Sequence, residues 1–358
     1  MQKRLLNMQA DKIEMVLAAH KAPARVWGGR LTARTVQFHL APAATTKLHT
    51  LQALTEELAL ALGASSARLT RHDGTLSLEV PRPDAQGVAF ADLVQRLHAD
   101  DATRRALAVA GTALLGLDQA GVPLLLRLAA PEVAHCLIAG TTGSGKTELA
   151  RTLVASLLLH QRPHDLQVAL FDPKGRGLAP FAAAPHLLFP VVVEPGETLY
   201  RMQFLVSEME RREREGIERP RLVVVVDELA DLLQSCGVGL EGLVRRLVQR
   251  GRSAGVSVVA CTQKPSAQAV GSVLKANFPV RLVGKVASAE DARVAAGVGG
   301  TRAERLAGRG DFLLIVADQQ IRFQAARIPP EEITSLCAAP VHINKPVQHL
   351  GGLLRRIK

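Results

Sequence analysis

The sequence predicts an α/β protein with a mainly parallel central sheet, preceded by a small α+β domain. Three observations predict it. From about residue 131, short apolar runs alternate with amphipathic helical stretches, the pattern of a parallel sheet covered on both faces. A glycine-rich turn joins the first of those runs to a helix in "HCLIAGTTGSGKTELARTLV". Residues 1–130 instead mix helical and alternating patterns.

In chain order, "MQKRLLNMQADKIEMVLAAH" interrupts its apolar residues with Asp11, Lys12 and Glu14, so it reads as a helix and not as a signal peptide. "RLTARTVQFHLAP" alternates as a strand, "KLHTLQALTEELALALG" has helical apolar spacing, and "GTLSLEVPRP" alternates again. The most apolar stretch, "ALAVAGTALLGLDQAGVPLLL", is broken by Asp118, Gln119, Gly121 and Pro123, which argues against a membrane span. Beyond residue 131, "HCLIAG", "LQVALFD", "LLFPVVVE", "RLVVVVDE", "VSVVACT" and "VRLVGKV" read as the sheet strands, and "GDFLLIVADQQIRFQAARI" as a hairpin turning near Asp318–Gln320. The expected organisation is therefore an N-terminal domain over 1–130, the sheet domain over 131–330 and a short basic extension over 331–358. A chain of 358 residues is long enough for that many units.

Composition narrows the partners. Lys and Arg total 44 against 33 Asp and Glu, a net charge of +11, which favours a polyanion and nucleic acid ahead of a membrane surface. Four widely spaced cysteines give neither a disulfide framework nor a zinc pattern, as in a protein of the reducing cytosol.

The turn carries the chemistry. Gly140, Gly145, Lys146 and Thr147 satisfy G-x-x-x-x-G-K-[ST] between a strand and a helix, the context of a phosphate-binding loop. Its glycines let backbone N–H groups close around phosphate oxygens at a helix N-terminus. The binding residues run through Gly140, Thr141, Thr142, Gly143, Ser144, Gly145, Lys146, Thr147 and Glu148. Lys146 is expected to reach the β- and γ-phosphates of ATP, and Thr147 to offer its hydroxyl to Mg²⁺. "RLVVVVDE" supplies Asp227 as the Mg²⁺-side carboxylate and Glu228 as general base, although two acids after an apolar strand can also simply end it. Gln263, after "VSVVACT", is placed to sense the γ-phosphate or the lytic water; it reads equally as a polar turn before Pro265.

"AGTTGSGKTE", "DPKG", "EMERRERE", "VVVVDELADL", "LVQRGRSAGVSVVACTQKPS" and "LKANFPVRL" together resemble the FtsK/SpoIIIE DNA translocases in order and style. The resemblance covers most of the chain: residues 22–130 are similar to the α subdomain that precedes the RecA-like β subdomain in that family. It implies a RecA-like P-loop ATPase working as a ring, a homo-oligomer of hexamer type, that moves double-stranded DNA by hydrolysing ATP between subunits. It implies Arg252 as the arginine finger acting on the neighbour's nucleotide, which also reads as an ordinary cation near a helix C-terminus before Gly255, and Lys264, Lys275 and Arg293 as DNA-binding cations, each of which also reads as exposed surface charge. Where the family typically has a lysine in the second DNA loop, this chain has Ala289 followed by Glu290. In "FDPKG", Asp172 is matched to support of the nucleotide site and Lys174 to a neighbour or the channel, with a turn on Pro173 and Gly175 as the plain alternative. Against the family pattern, the chain carries neither a membrane region nor room after residue 328 for a winged helix, so a soluble, cytoplasmic motor is expected. Two other readings remain: a type VII protein-secretion ATPase, which shares the motor, and a weakly hydrolysing ATP-binding scaffold.

Overall fold

The computed structural model describes residues 2–31, 35–64, 66–72, 74–82, 87–97, 100–263, 278–317 and 319–338. They form two compact units divided between Gly87 and Val88.

The first unit contains α1 (Gln2–Ala19), β1 (Ala24–Leu31), β2 (Thr35–Pro42), α2 (Leu48–Ala53), α3 (Thr55–Ala61), β3 (Arg68–His72) and β4 (Thr75–Pro81). The strands make an antiparallel sheet in the order β1-β2-β4-β3. Alternation places Val36, Phe38 and Leu40 of β2 on one face, where they pack with Leu78 and Val80 against Ile13 and Leu17 of α1. The helical stretch after Lys47 is two helices and not one. It breaks at Leu54, where the Thr55 hydroxyl donates back to the Gln52 carbonyl at 2.9 Å.

The second unit begins earlier than residue 131. Residues 88–130 form β5 (Val88–Ala89), α4 (Phe90–Leu97), α5 (Asp101–Leu107), β6 (Thr112–Asp118) and β7 (Pro123–Arg127). They fall outside the first unit because β5 and β6 both pair with β14 (Gln319–Arg327), near the far end of the sequence. The apolar stretch at 106–126 is thus mostly a hairpin whose first strand is buried, and no helix among the described residues is long and apolar enough to cross a membrane.

The remaining elements are β8 (Cys136–Ala139), α6 (Lys146–His160), β9 (Leu166–Phe171), α7 (Pro195–Glu215), β10 (Arg221–Val226), α8 (Leu229–Arg250), β11 (Val256–Thr262), β12 (Val280–Val283), α9 (Ala289–Ala296), β13 (Asp311–Val316) and α10 (Pro330–Ala338). The sheet runs β7-β6-β14-β13-β12-β8-β11-β10-β9, with β5 beside β14. From β12 to β9 every pairing is parallel, whereas β7, β6, β14, β13 and β12 pair antiparallel in succession, so a parallel half continues into a hairpin-built half. "LLFPVVVE" makes only two isolated bridges to β9, because Pro190 removes a donor in mid-run. Residues 330–338 are a packed helix, with Ile333 and Cys337 buried, and not part of a loose extension.

The parallel half is continuous core: Leu222 to Val226 of β10 are all fully buried, each side chain contributing roughly 1.5–3 kcal/mol relative to exposure. α6 is enclosed on nearly every side, and its hydroxyls fasten it in place. Thr152 donates to the Ala326 carbonyl at 2.7 Å and Ser156 accepts from the Leu114 N–H at 2.8 Å.

Candidate active site

β8 ends at Ala139 and α6 begins at Lys146, so residues 140–145 form the turn between them. Its carbonyls are held from outside: Gly143 and Ser144 accept from the N–H groups of Arg309 (2.9 Å) and Gly310 (2.8 Å). The Lys285 carbonyl accepts from both the N–H (2.8 Å) and the hydroxyl (3.1 Å) of Thr141. Gly145 has φ 101°, and a Cβ there would lie 2.8 Å from the Gly310 nitrogen, so this position takes only glycine. Among the described residues no carbonyl accepts from the N–H groups of Thr142, Gly143 or Gly145, and α6 has no side-chain cap. Unpaired donors converging on a helix N-terminus make an anion nest. Lys146, only 6% exposed, lies among them with its Nζ 3.4 Å from the Thr141 carbonyl. Burial lowers its pKa, and the charges of Glu228 and Asp227 act the other way.

Asp227 and Glu228 follow β10, next in the sheet to β11, which itself adjoins β8. Glu228 is 3% exposed and sits at φ 61°, ψ 62°, a left-handed conformation costly for a non-glycine residue and characteristic of functional sites. Its Oε1 accepts from the Gln263 N–H at 2.8 Å, and the Gln263 Oε1 accepts from the Thr142 hydroxyl at 2.8 Å. Gln263 therefore links the phosphate loop to Glu228 physically.

The turn after β9 completes the site. Asp172, fully buried, accepts from the Leu178 N–H at 2.8 Å, and Arg151 of α6 donates to the carbonyls of Arg176 (2.8 Å) and Gly177 (2.6 Å). A Cβ on Gly177 would lie 2.5 Å from Asp227 Oδ2 and 3.2 Å from Thr147 Cγ2, so Gly177 keeps open the space that the carboxylate and Thr147 share. Gly177→Ala is expected to fold but to turn the Asp227 carboxylate aside. Binding of a divalent cation together with a phosphate ligand should then weaken on the order of tenfold, since one of the cation's carboxylate oxygens is displaced; an unchanged cation titration would refute it.

Asp227 is 6% exposed, and its pKa is pushed up to about 6 by burial, then by the neighbouring charges of Asp172 and Glu228. An excess of buried negative charge beside a hydroxyl suits a divalent cation. Among the described residues no three His, Cys, Asp or Glu side chains could hold one unaided, so phosphate oxygens and water would complete its shell, as for Mg²⁺. The residues thus fit a phosphate group with its cation.

Other expected residues are placed differently. The Glu148 carboxylate is taken up by Arg151 (2.9 Å) and Arg327 (3.5 Å), which leaves its backbone N–H as the group available to a ligand. Lys174 faces this chain's own Glu228 and Asp231. Arg252 is exposed on a short 3₁₀ turn, Gly251–Ala254, before β11, at the opposite end of that strand from Gln263. Seven strand residues at about 3.3 Å each put it roughly 23 Å from its own phosphate loop. Arg293 is exposed on α9; Lys264 and Lys275 lie outside the described residues. Ala289 and Glu290 open α9, where Ser288 caps the N–H of Asp291 at 3.1 Å and acidic residues favour the first turn, so a helix start occupies the place of the family's lysine. Gly177, the Lys285 carbonyl and the 309–310 strut were not expected; "GRGL" and "GRGD" carry the only signal, glycines beside charged residues.

The profile of the FtsK/SpoIIIE family matches residues 97–218 and 212–267, and that of the FtsK alpha domain matches residues 1–82. DNA translocase FtsK of Halalkalibacterium halodurans is 32% identical over 367 residues, covering 94% of this chain and 45% of that protein. DNA translocase SpoIIIE of Bacillus subtilis is 31% identical over 367 residues, covering 91% and 46%. The chain thus spans less than half the length of these relatives. Among solved structures, the pCW3 conjugation coupling protein TcpA has a TM-score of 0.60 at 19% identity, over 92% of this chain and 99% of that one. The type VII secretion ATPase EccC of Thermomonospora curvata has a TM-score of 0.54 at 25% identity, over 69% and 31%. The structural likeness to TcpA concerns the fold, a P-loop ATPase fold; with two adjoining profiles and relatives aligned along nearly its whole length, the chain belongs to the FtsK/SpoIIIE family.

Proposed function

We propose that the chain is an ATP-driven double-stranded DNA translocase, active as a homo-oligomeric ring of hexamer type. The observation that carries the reading is the hydrogen-bonded path from Thr142 through Gln263 to Glu228, which ties a phosphate loop to a buried carboxylate. The names of its relatives, DNA translocases, supply the substrate class. In this reading the N–H groups of residues 142–147 and Lys146 bind the β- and γ-phosphates of ATP. Thr147 and Asp227 would hold Mg²⁺, which neutralises phosphate charge when bound. Glu228 takes the proton of the attacking water, and Gln263 reports the γ-phosphate to it. Arg252 is too far from its own loop to act there, so it would complete a neighbour's site. Arg293, with Lys264 and Lys275, would grip DNA phosphates without reading sequence.

ATP turnover is expected to rise on adding long duplex DNA of any sequence; turnover indifferent to DNA at low salt would overturn the reading. A mixing experiment tests the shared site. Arg252→Ala and Lys146→Ala subunits should each be inactive alone, yet regain turnover when mixed, because the first keeps a phosphate loop and the second a finger. Failure to complement, with each variant binding DNA, would remove Arg252 from the site.

A further inference from the structure

We propose that Lys174 is a positioning residue for Glu228, an ammonium that fixes the second oxygen of the carboxylate whose first oxygen is fixed by Gln263. The inference rests on Glu228 being the general base. It begins with register: β9 and β10 are parallel neighbours with Phe171 opposite Val226, so Asp172 and Asp227, the next residues, leave the sheet side by side. Lys174 then rises from a turn with little freedom. The Gly175 N–H donates to the Asp172 carbonyl at 2.9 Å, the Asp172 carboxylate holds Leu178, and Arg151 holds the carbonyls of Arg176 and Gly177.

From that turn the Lys174 Nζ reaches within 3.5 Å of Glu228 Oε2 and 3.4 Å of Asp231 Oδ2. Glu228 is thereby held from two strands, at Oε1 by the backbone after β11 and at Oε2 by the side chain after β9. Its left-handed backbone already fixes the direction of Cβ; the two contacts fix the remaining torsions. A base must lie within hydrogen-bond reach of the proton that it takes, and a carboxylate beside the like charge of Asp227 would turn away without a cation to hold it. Lys146 feels the charge of Glu228, but its Nζ makes its hydrogen bond to the Thr141 carbonyl and does not pin Glu228 Oε2. The side chain of Lys174 is 49% exposed, so the pair adds little to stability, and its effect should appear in turnover.

The test is ATP hydrolysis by the full chain with duplex DNA, beside equilibrium binding of a fluorescent ATP analogue, for Lys174→Met, Lys174→Arg, Asp231→Asn and Glu228→Gln. Lys174→Met is expected to lose kcat on the order of tenfold or more while binding the analogue as wild type does. Lys174→Arg should recover part of that loss, because a guanidinium can span the same two carboxylates. Asp231→Asn leaves the Glu228 contact intact and should stay within about twofold of wild type. Wild-type kcat in Lys174→Met, weakened binding at unchanged kcat, or equal losses in Lys174→Met and Asp231→Asn would each overturn the inference. Glu228→Gln separates the levels: if it turns over normally, the base assignment has failed; if it is inactive while Lys174→Met is not, only the role of Lys174 has.

Discussion

Glu228→Gln is expected to bind ATP with wild-type affinity and to hydrolyse it at least about a hundredfold more slowly, the usual range for loss of a general base. The substitution is nearly isosteric, and the surroundings say which half of the carboxylate survives. The amide oxygen still accepts from the Gln263 N–H, so the path through Gln263 to Thr142 persists and the phosphate loop is undisturbed. The other half becomes an NH₂ group facing the Lys174 ammonium; that pair is lost, and Lys174 keeps Asp231 as its partner. Nothing in the anion nest changes, which is why affinity and turnover should separate. Lys146→Ala, in contrast, removes the charge from the nest itself and should lower both. Single-turnover hydrolysis beside equilibrium binding reads the difference. Should Glu228→Gln hydrolyse ATP at the wild-type rate, the proton goes elsewhere and the site must be reassigned.

The parts of this site visible in the sequence are those whose signal is local. The phosphate loop is legible because glycines, lysine and threonine must follow one another at fixed spacing, and β8 and α6 flank it as expected. The acid pair is legible because β10 is an unbroken apolar run that has to end where it does. Lys174 and Glu228 are 54 residues apart, and nothing in either stretch says that β9 and β10 adjoin in register. For that reason the sequence matches Lys174 of "DPKG" to a neighbour or the channel and not to Glu228 of its own chain. The same holds for Gly177, whose need for a bare α-carbon arises from Asp227, and for Glu228, whose left-handed backbone no local pattern announces. Residues 88–130 share the mixed pattern of the residues before them, which predicts one domain over 1–130, yet β5 and β6 find their partner in β14 of the C-terminal hairpin.

Asp227→Asn should abolish Mg²⁺-dependent turnover and yet make the nucleotide-free protein more stable at neutral pH. A carboxyl moved from 3.8 to about 6 is easier to protonate folded than unfolded. The folded state therefore binds the extra proton between those values, and stability falls as pH rises through them, reaching a full cost of about 3 kcal/mol above pH 6. The amide carries no such cost. In EDTA at pH 8 its melting temperature should exceed that of wild type by roughly 6–12 °C, given about 2–4 °C per kcal/mol for a unit of this size, and the gain should vanish as pH falls toward 4. Adding Mg²⁺ with ATP should reverse the order, since only the wild type gains the stabilisation that a bound ligand brings. A variant less stable than wild type at pH 8, or a difference that ignores pH, would mean that Asp227 is held by structural partners. The opposite result would identify its burial among Asp172 and Glu228 as strain kept in place for a cation, relieved only when the cation arrives.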